Sequence, residues 1–142
     1  MLYIAPTKAP NPPTDMNTKE KYQLEVGINA SPQLLYQYIS TPAGLASWYA
    51  DDVRADADVY LFFWNKSPEK AILMRTKLDE YIRFHWVDDD PANTFFEIRI
   101  NVDELTQEVS LVIVDFAYSD EIEEAKQMWR LQIADLKARI GG

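Results

Sequence analysis

Tyr22, Leu24, Val26 and Ile28 alternate with polar neighbours, which predicts a half-buried strand. Ser31-Pro32 follows, a helix N-cap with Pro at the first helical position. Leu34, Leu35, Tyr38 and Ile39 then form the apolar stripe of a short helix. Thr41-Pro42 repeats the punctuation, and Leu45, Trp48 and Tyr49 fall at i, i+3 and i+4 of a second short helix. A helix–turn–helix pair is therefore inserted after the first strand.

From Asp52 to Ala117 the period is two almost throughout. Val59 to Trp64 is an unbroken apolar run whose length and aromatic content favour strand. Ile72, Met74, Thr76 and Leu78 alternate with Ala71, Leu73, Arg75 and Lys77, so this strand is apolar on both registers. Ile82, Phe84 and Trp86 make one face of the next strand, with Arg83 and His85 opposite. Residues 88–93 form a turn cluster of Asp, Pro and Asn. Phe96, Ile98, Ile100 and Val102 oppose Glu97, Arg99 and Asn101 as a one-sided strand. In the last strand Val109, Leu111 and Ile113 are interleaved with Val112 and Val114, suggesting burial on both faces.

A final helix of about twenty residues has Ile122, Ala125, Met128, Trp129, Ile133, Leu136 and Ile140 as its buried stripe. Asp120 and Glu123 fit a capping box, acidic residues gather at its start, Lys137 and Arg139 at its end, and Gly141 follows as a stop. The order is β-α-α-β(5–6)-α, an α+β fold with one antiparallel sheet. Four of the eight prolines fall among the first fifteen residues, which show no period. The chain thus reads as a flexible tail over 1–18 and a single domain over 19–142.

With no Cys, a zinc finger, an iron–sulfur cluster, a thiol nucleophile and disulfides are excluded. A net charge of −9, from 23 acidic and 14 basic residues, argues against nucleic acid and anionic membrane surfaces as partners. No apolar run approaches the ~20 residues of a membrane span. The N-terminus lacks the parts of a signal peptide, so a cytoplasmic protein is expected.

The segment from Ile28 through Ser31-Pro32, Leu35, Tyr38-Ile39-Ser40, Pro42, Leu45 and Trp48 resembles the opening of START-like proteins of the helix-grip superfamily. Arg83-Phe84-His85-Trp86, the strand from Glu108 to Phe116, and a last helix with Trp129 and Leu136 extend the resemblance over roughly residues 20–140. It is similar above all to short acidic bacterial START-like domains related to the C-terminal domain of the activators of the heat-shock ATPase. The resemblance implies a curved antiparallel sheet wrapped around the long C-terminal helix, with an apolar cavity between them. It places Trp48 at the cavity mouth, Phe84 and Trp86 on the sheet, and Met128 and Trp129 on the helix. The chaperone-binding domain of the eukaryotic activators has no counterpart here, nor does an acid–base set of the cyclase branch.

His85 is the only histidine and sits opposite the apolar face of its strand, so it reads as a solvent-facing residue rather than a base. The Asp clusters lack the spacing of a calcium loop, and no metal is expected. Only four glycines are present and no phosphate-cradling loop, so no cofactor is expected either. Asp115 shares the alternation of Val109, Leu111 and Ile113, which points it toward the helix; alternatively the strand ends there and Asp115 caps the approach to the helix. An inward Arg75 could meet a ligand carboxylate or pair with Asp115. Four Trp, six Phe and eight Tyr either line a pocket or fill a wide sheet. The leading expectation is a non-catalytic binding protein whose apolar cavity holds a small hydrophobic or amphipathic molecule. The alternatives are a chaperone-associated protein-interaction module with a protein partner, and, behind it, a cyclase- or hydrolase-type enzyme.

Overall fold

The computed structural model describes residues 18–89 and 93–141. The expectations for residues 1–17, and for Asp90, Pro91 and Ala92 of the turn cluster, lie outside the described residues. Strand β1 (Glu20–Gly27) leads into helices α1 (Pro32–Ser40) and α2 (Pro42–Ala46). Strands β2 (Asp52–Asp56), β3 (Val59–Trp64), β4 (Ser67–Lys77), β5 (Tyr81–Trp86), β6 (Phe96–Val102) and β7 (Val109–Ala117) follow, then helix α3 (Ile122–Ile140). All pairings are antiparallel, in the order β1-β7-β6-β5-β4-β3-β2. The architecture is the α+β helix-grip arrangement.

The punctuation works through specific hydrogen bonds. Ser31 Oγ accepts from the Leu34 amide at 3.1 Å. Thr41 Oγ1 donates to the Gln37 carbonyl at 2.8 Å, closing α1, and accepts from the Gly44 amide at 2.9 Å, opening α2. The two helices meet so closely that a Cβ at Gly44 would lie 2.2 Å from the Gln37 carbonyl oxygen, so only glycine fits. The β3–β4 connection is the pair Asn65-Lys66, both at positive φ, as a hairpin turn that follows the strand twist requires.

One apolar cluster joins the helices to one face of the sheet. It contains Leu35 and Ile39 of α1, Leu45, and Trp129, Ile133 and Leu136 of α3, against Tyr22, Phe62, Phe84, Phe96, Ile98 and Ile113. Each fully buried aliphatic or aromatic side chain contributes roughly 1.5–3 kcal/mol of transfer free energy.

The structure departs from the sequence expectations in several places. Asp120 and Glu123 form no capping box; a 3-10 turn over Ser119–Glu121 feeds α3 without a side-chain cap. Leu34, Met74 and Leu78 are exposed, because the short α1 presents only Leu35 and Ile39 to the core and the end of β4 is uncovered; Met128 is exposed because the buried stripe of α3 runs through Trp129, Ile133 and Leu136 and leaves it to one side. Glu97 is 3 % exposed although it lies on the face away from the helices. Arg83 and Arg99 close over it with ion pairs of 2.8 and 3.0 Å, stacked in turn on Phe95 and Tyr81.

Candidate functional site

Alternation in β3, β5 and β6 brings Phe62, Phe84, Trp86 and Phe96 onto the face beneath α3. Tyr49, delivered by the turn after α2, enters the middle of them. Its ring stacks on Trp129 with centroids 5.2 Å apart and planes 17° apart, and meets Phe62 and Trp64 edge-on at 5.5 and 5.3 Å. Phe84 and Trp86 stack on Phe96 at 5.2 and 5.1 Å. Trp48 is buried beside Tyr49, with its Nε1 donating 2.9 Å to the Tyr38 carbonyl. Trp48, Phe84, Trp86 and Trp129 all belong to this cluster of rings, joined through Tyr49 and Phe96.

Asp115 points toward α3, as strict alternation requires, and remains within β7 opposite Tyr22. Its Oδ2 accepts from Trp129 Nε1 at 3.0 Å and Tyr22 Oη at 3.1 Å; its Oδ1 accepts from the Phe116 amide at 2.7 Å. The carboxylate thus ties β1, β7 and α3 together. Burial pushes its pKa up to about 6, against the pull of those three donors and of the Lys19 charge. Burial, then the Asp115 charge, pushes the Tyr22 and Tyr49 phenols upward.

Arg75 does not reach this carboxylate. The β4–β5 register shifts between Leu73 and Arg75, so Leu73 pairs with inward Phe84 while Arg75 pairs with outward Arg83. The bulge switches the residues that face the helices from odd to even, so that Thr76 pairs with Ile82, and leaves Arg75 exposed. His85 is half-buried and its Nδ1 lies 2.7 Å from the Thr94 carbonyl oxygen, so it is more enclosed than a solvent-facing residue.

An open groove of about 790 Å³ lies where the second half of α3 meets the loop between α2 and β2. Trp48, Tyr49 and Trp64 give its aromatic wall; Gln132, Asp135 and Arg139 line it from the helix. The Tyr49 carbonyl accepts from Trp64 Nε1 at 3.0 Å and Gln132 Nε2 at 2.9 Å, and the Ser47 carbonyl accepts from Arg139 Nε. These bonds clamp the loop between β3 and α3 and fix the wall. Met128 precedes Gln132 by four residues and so lies on the same flank of the helix, just beyond the groove. Tyr49, Trp64, Gln132, Asp135 and Arg139 are not among the site residues expected from sequence, where Tyr49, Trp64 and Arg139 figure only as parts of their elements. The i, i+3, i+7 spacing of Gln132, Asp135 and Arg139 is the one local signal that marks a shared helix flank.

The chain matches the family described as the START-like superfamily domain over residues 16–142, and it belongs to that family. It is similar to BfR322 from Bacteroides fragilis, a solution structure, at 36% identity over 86% of this chain and 91% of that one, with a TM-score of 0.61. The Aha1 dimer from Colwellia psychrerythraea is similar at 16% identity, covering 83% and 93% of the two chains, with a TM-score of 0.68. CalU16 from Micromonospora echinospora is similar at 13% identity, covering 86% and 74%, with a TM-score of 0.66. The last two likenesses concern the fold alone. No curated protein matches the chain. Among the described residues no helix is long and apolar enough to cross a membrane, and no group of three or more His, Asp or Glu is placed to hold a metal ion.

Proposed function

We propose that this START-like domain is a non-catalytic binding protein for a small amphipathic molecule, held in the groove between α3 and the α2–β2 loop. The observation that carries the reading is the groove itself: its volume of about 790 Å³ falls in the ~300–1,000 Å³ range of small-molecule sites. An apolar portion of the ligand lies along Trp48 and Trp64, and a polar end meets Gln132, Asp135 or Arg139. Trp129, Phe84 and Trp86 act behind this wall, holding Tyr49 in place, and Met128 extends the apolar border along the helix. Asp115 fixes α3 to the sheet and so sets the width of the groove from behind. Arg75, outward on β4, takes no part.

Displacement of an environment-sensitive apolar dye by a panel of fatty acids, sterols and aromatic amphiphiles tests this reading. Saturable, competable binding is expected in the wild type. Ala138 lines the groove and is exposed, so Ala138→Trp should fill it, abolish binding and leave the melting temperature unchanged. Absence of saturable binding across the panel, or equal binding by Ala138→Trp, overturns the proposal. A protein partner for the acidic surface then becomes the leading reading.

A further inference from the structure

Strand β1 is terminal in the sheet, and among the described residues no strand pairs with its outer side. Its eight residues match β7 one for one from Glu20 to Gly27, with no bulge and no proline. The other edge is guarded differently: β2 is five residues long, carries the Asp52–Arg54 ion pair at 3.3 Å, and runs into Ala57 at positive φ. Long, regular edges are rare in proteins that stay alone, because unpaired N–H and C=O groups template another strand.

The direction of those groups is fixed by one bond. The Ile28 amide donates to the Val109 carbonyl at 3.0 Å on the register that continues β1–β7. Hydrogen-bonded pairs alternate along an antiparallel ladder. Even-numbered residues of β1 therefore turn their backbone to β7, and Lys21, Gln23, Glu25 and Gly27 turn theirs outward. The side chains of Lys21, Gln23 and Glu25 are exposed on the face away from α3.

We propose that β1 pairs antiparallel with β1 of a second copy of this chain, about a two-fold axis at Gln23, making one continuous sheet through both molecules. In that register Gln23 faces the partner's Gln23, and Lys21 faces the partner's Glu25 on both sides of the axis. On the inner face Tyr22 faces the partner's Leu24. Every outward backbone group from Lys21 to Glu25 then finds a partner in the pattern an antiparallel ladder needs. Other registers are worse. Centring on Lys21 or on Glu25 sets like charges face to face, and centring on Tyr22 or Leu24 leaves Lys21 or Glu25 opposite Gln23. The strand is self-complementary in one register, as a two-fold interface requires.

Gln23 provides the test, since its side chain is exposed and makes no hydrogen bond or ion pair with described residues. Sedimentation equilibrium of the full chain should show a monomer–dimer equilibrium. Gln23→Glu and Gln23→Lys should each weaken self-association several-fold, because like charges then meet at the axis. An equimolar mixture of the two variants should associate more tightly than either alone. Circular dichroism establishes that each variant is folded. A wild type that stays monomeric at ~1 mM, far above the Kd of a specific dimer, overturns the proposal. So do variants that associate as the wild type does, or a mixture no tighter than its components.

Discussion

Replacing Asp115 by Asn removes the titration of a carboxyl that lies at the junction of β1, β7 and α3. The group titrates at about 6 in the folded chain and near 3.8 when solvated. Its folded pKa is raised, so its stabilising contribution is complete below about 3.8 and is lost as pH rises through about 6. At 1.36 kcal/mol per pKa unit the loss at neutral pH is roughly 3 kcal/mol. Many other carboxylates titrate over the same range, so the informative quantity is the difference between wild type and Asp115→Asn at each pH. Asn retains an acceptor for Tyr22 and Trp129 but sets an amide against the Phe116 N–H, a penalty of about 1–3 kcal/mol that does not vary with pH. Urea titrations at fixed ionic strength between pH 4 and pH 7 should therefore show the variant gaining on the wild type by about 2–2.5 kcal/mol as pH rises. In thermal scans this amounts to roughly 6–10 °C for a chain of this size. A difference that is flat with pH would show that the three donors balance burial, and one that moves the other way that they outweigh it; either refutes the reasoning.

Trp129→Ala should cost about 3–5 kcal/mol in denaturant titration, since it removes a ring stacked on Tyr49 and a donor to Asp115. Gly44→Ala should cost at least ~1–3 kcal/mol, because the added methyl meets the Gln37 carbonyl and Tyr38 Cα at the α1–α2 contact. Arg75→Ala should stay within ~0.5 kcal/mol of wild type, as expected of an exposed side chain carried outward by the bulge.

Local chemistry made much of the fold legible. Ser31-Pro32 and Thr41-Pro42 mark α1 and α2, and the apolar alternation of Phe84 with Trp86 or Ile98 with Ile100 gives the inner face directly. What escaped depends on partners distant along the chain. Arg75 was ambiguous because its strand is apolar on both registers, and a one-residue bulge decides the matter. Glu97 is covered by Arg83, which arrives from β5, together with its strand neighbour Arg99. The groove is assembled by Gln132 and Arg139 donating to backbone carbonyls of the α2–β2 loop, and backbone acceptors leave no trace in a side-chain pattern. Aromatic content singled out Trp48 and Trp129, which both pack against Tyr49, yet composition does not distinguish rings that line a hollow from rings that fill it.

A small amphipathic molecule bound in the groove would be seen most directly at the indole groups of its wall. Each of the four tryptophans has one indole N–H, and only Trp48 and Trp64 line the groove. A titration of 15N-labelled protein with the amphiphiles that displace the dye should move the Trp48 and Trp64 indole resonances and the Gln132 side-chain amide to saturation. Resonances of the outer sheet face should stay in place. Saturable shifts centred away from those groups, or no saturable shift with any compound, would contradict the account.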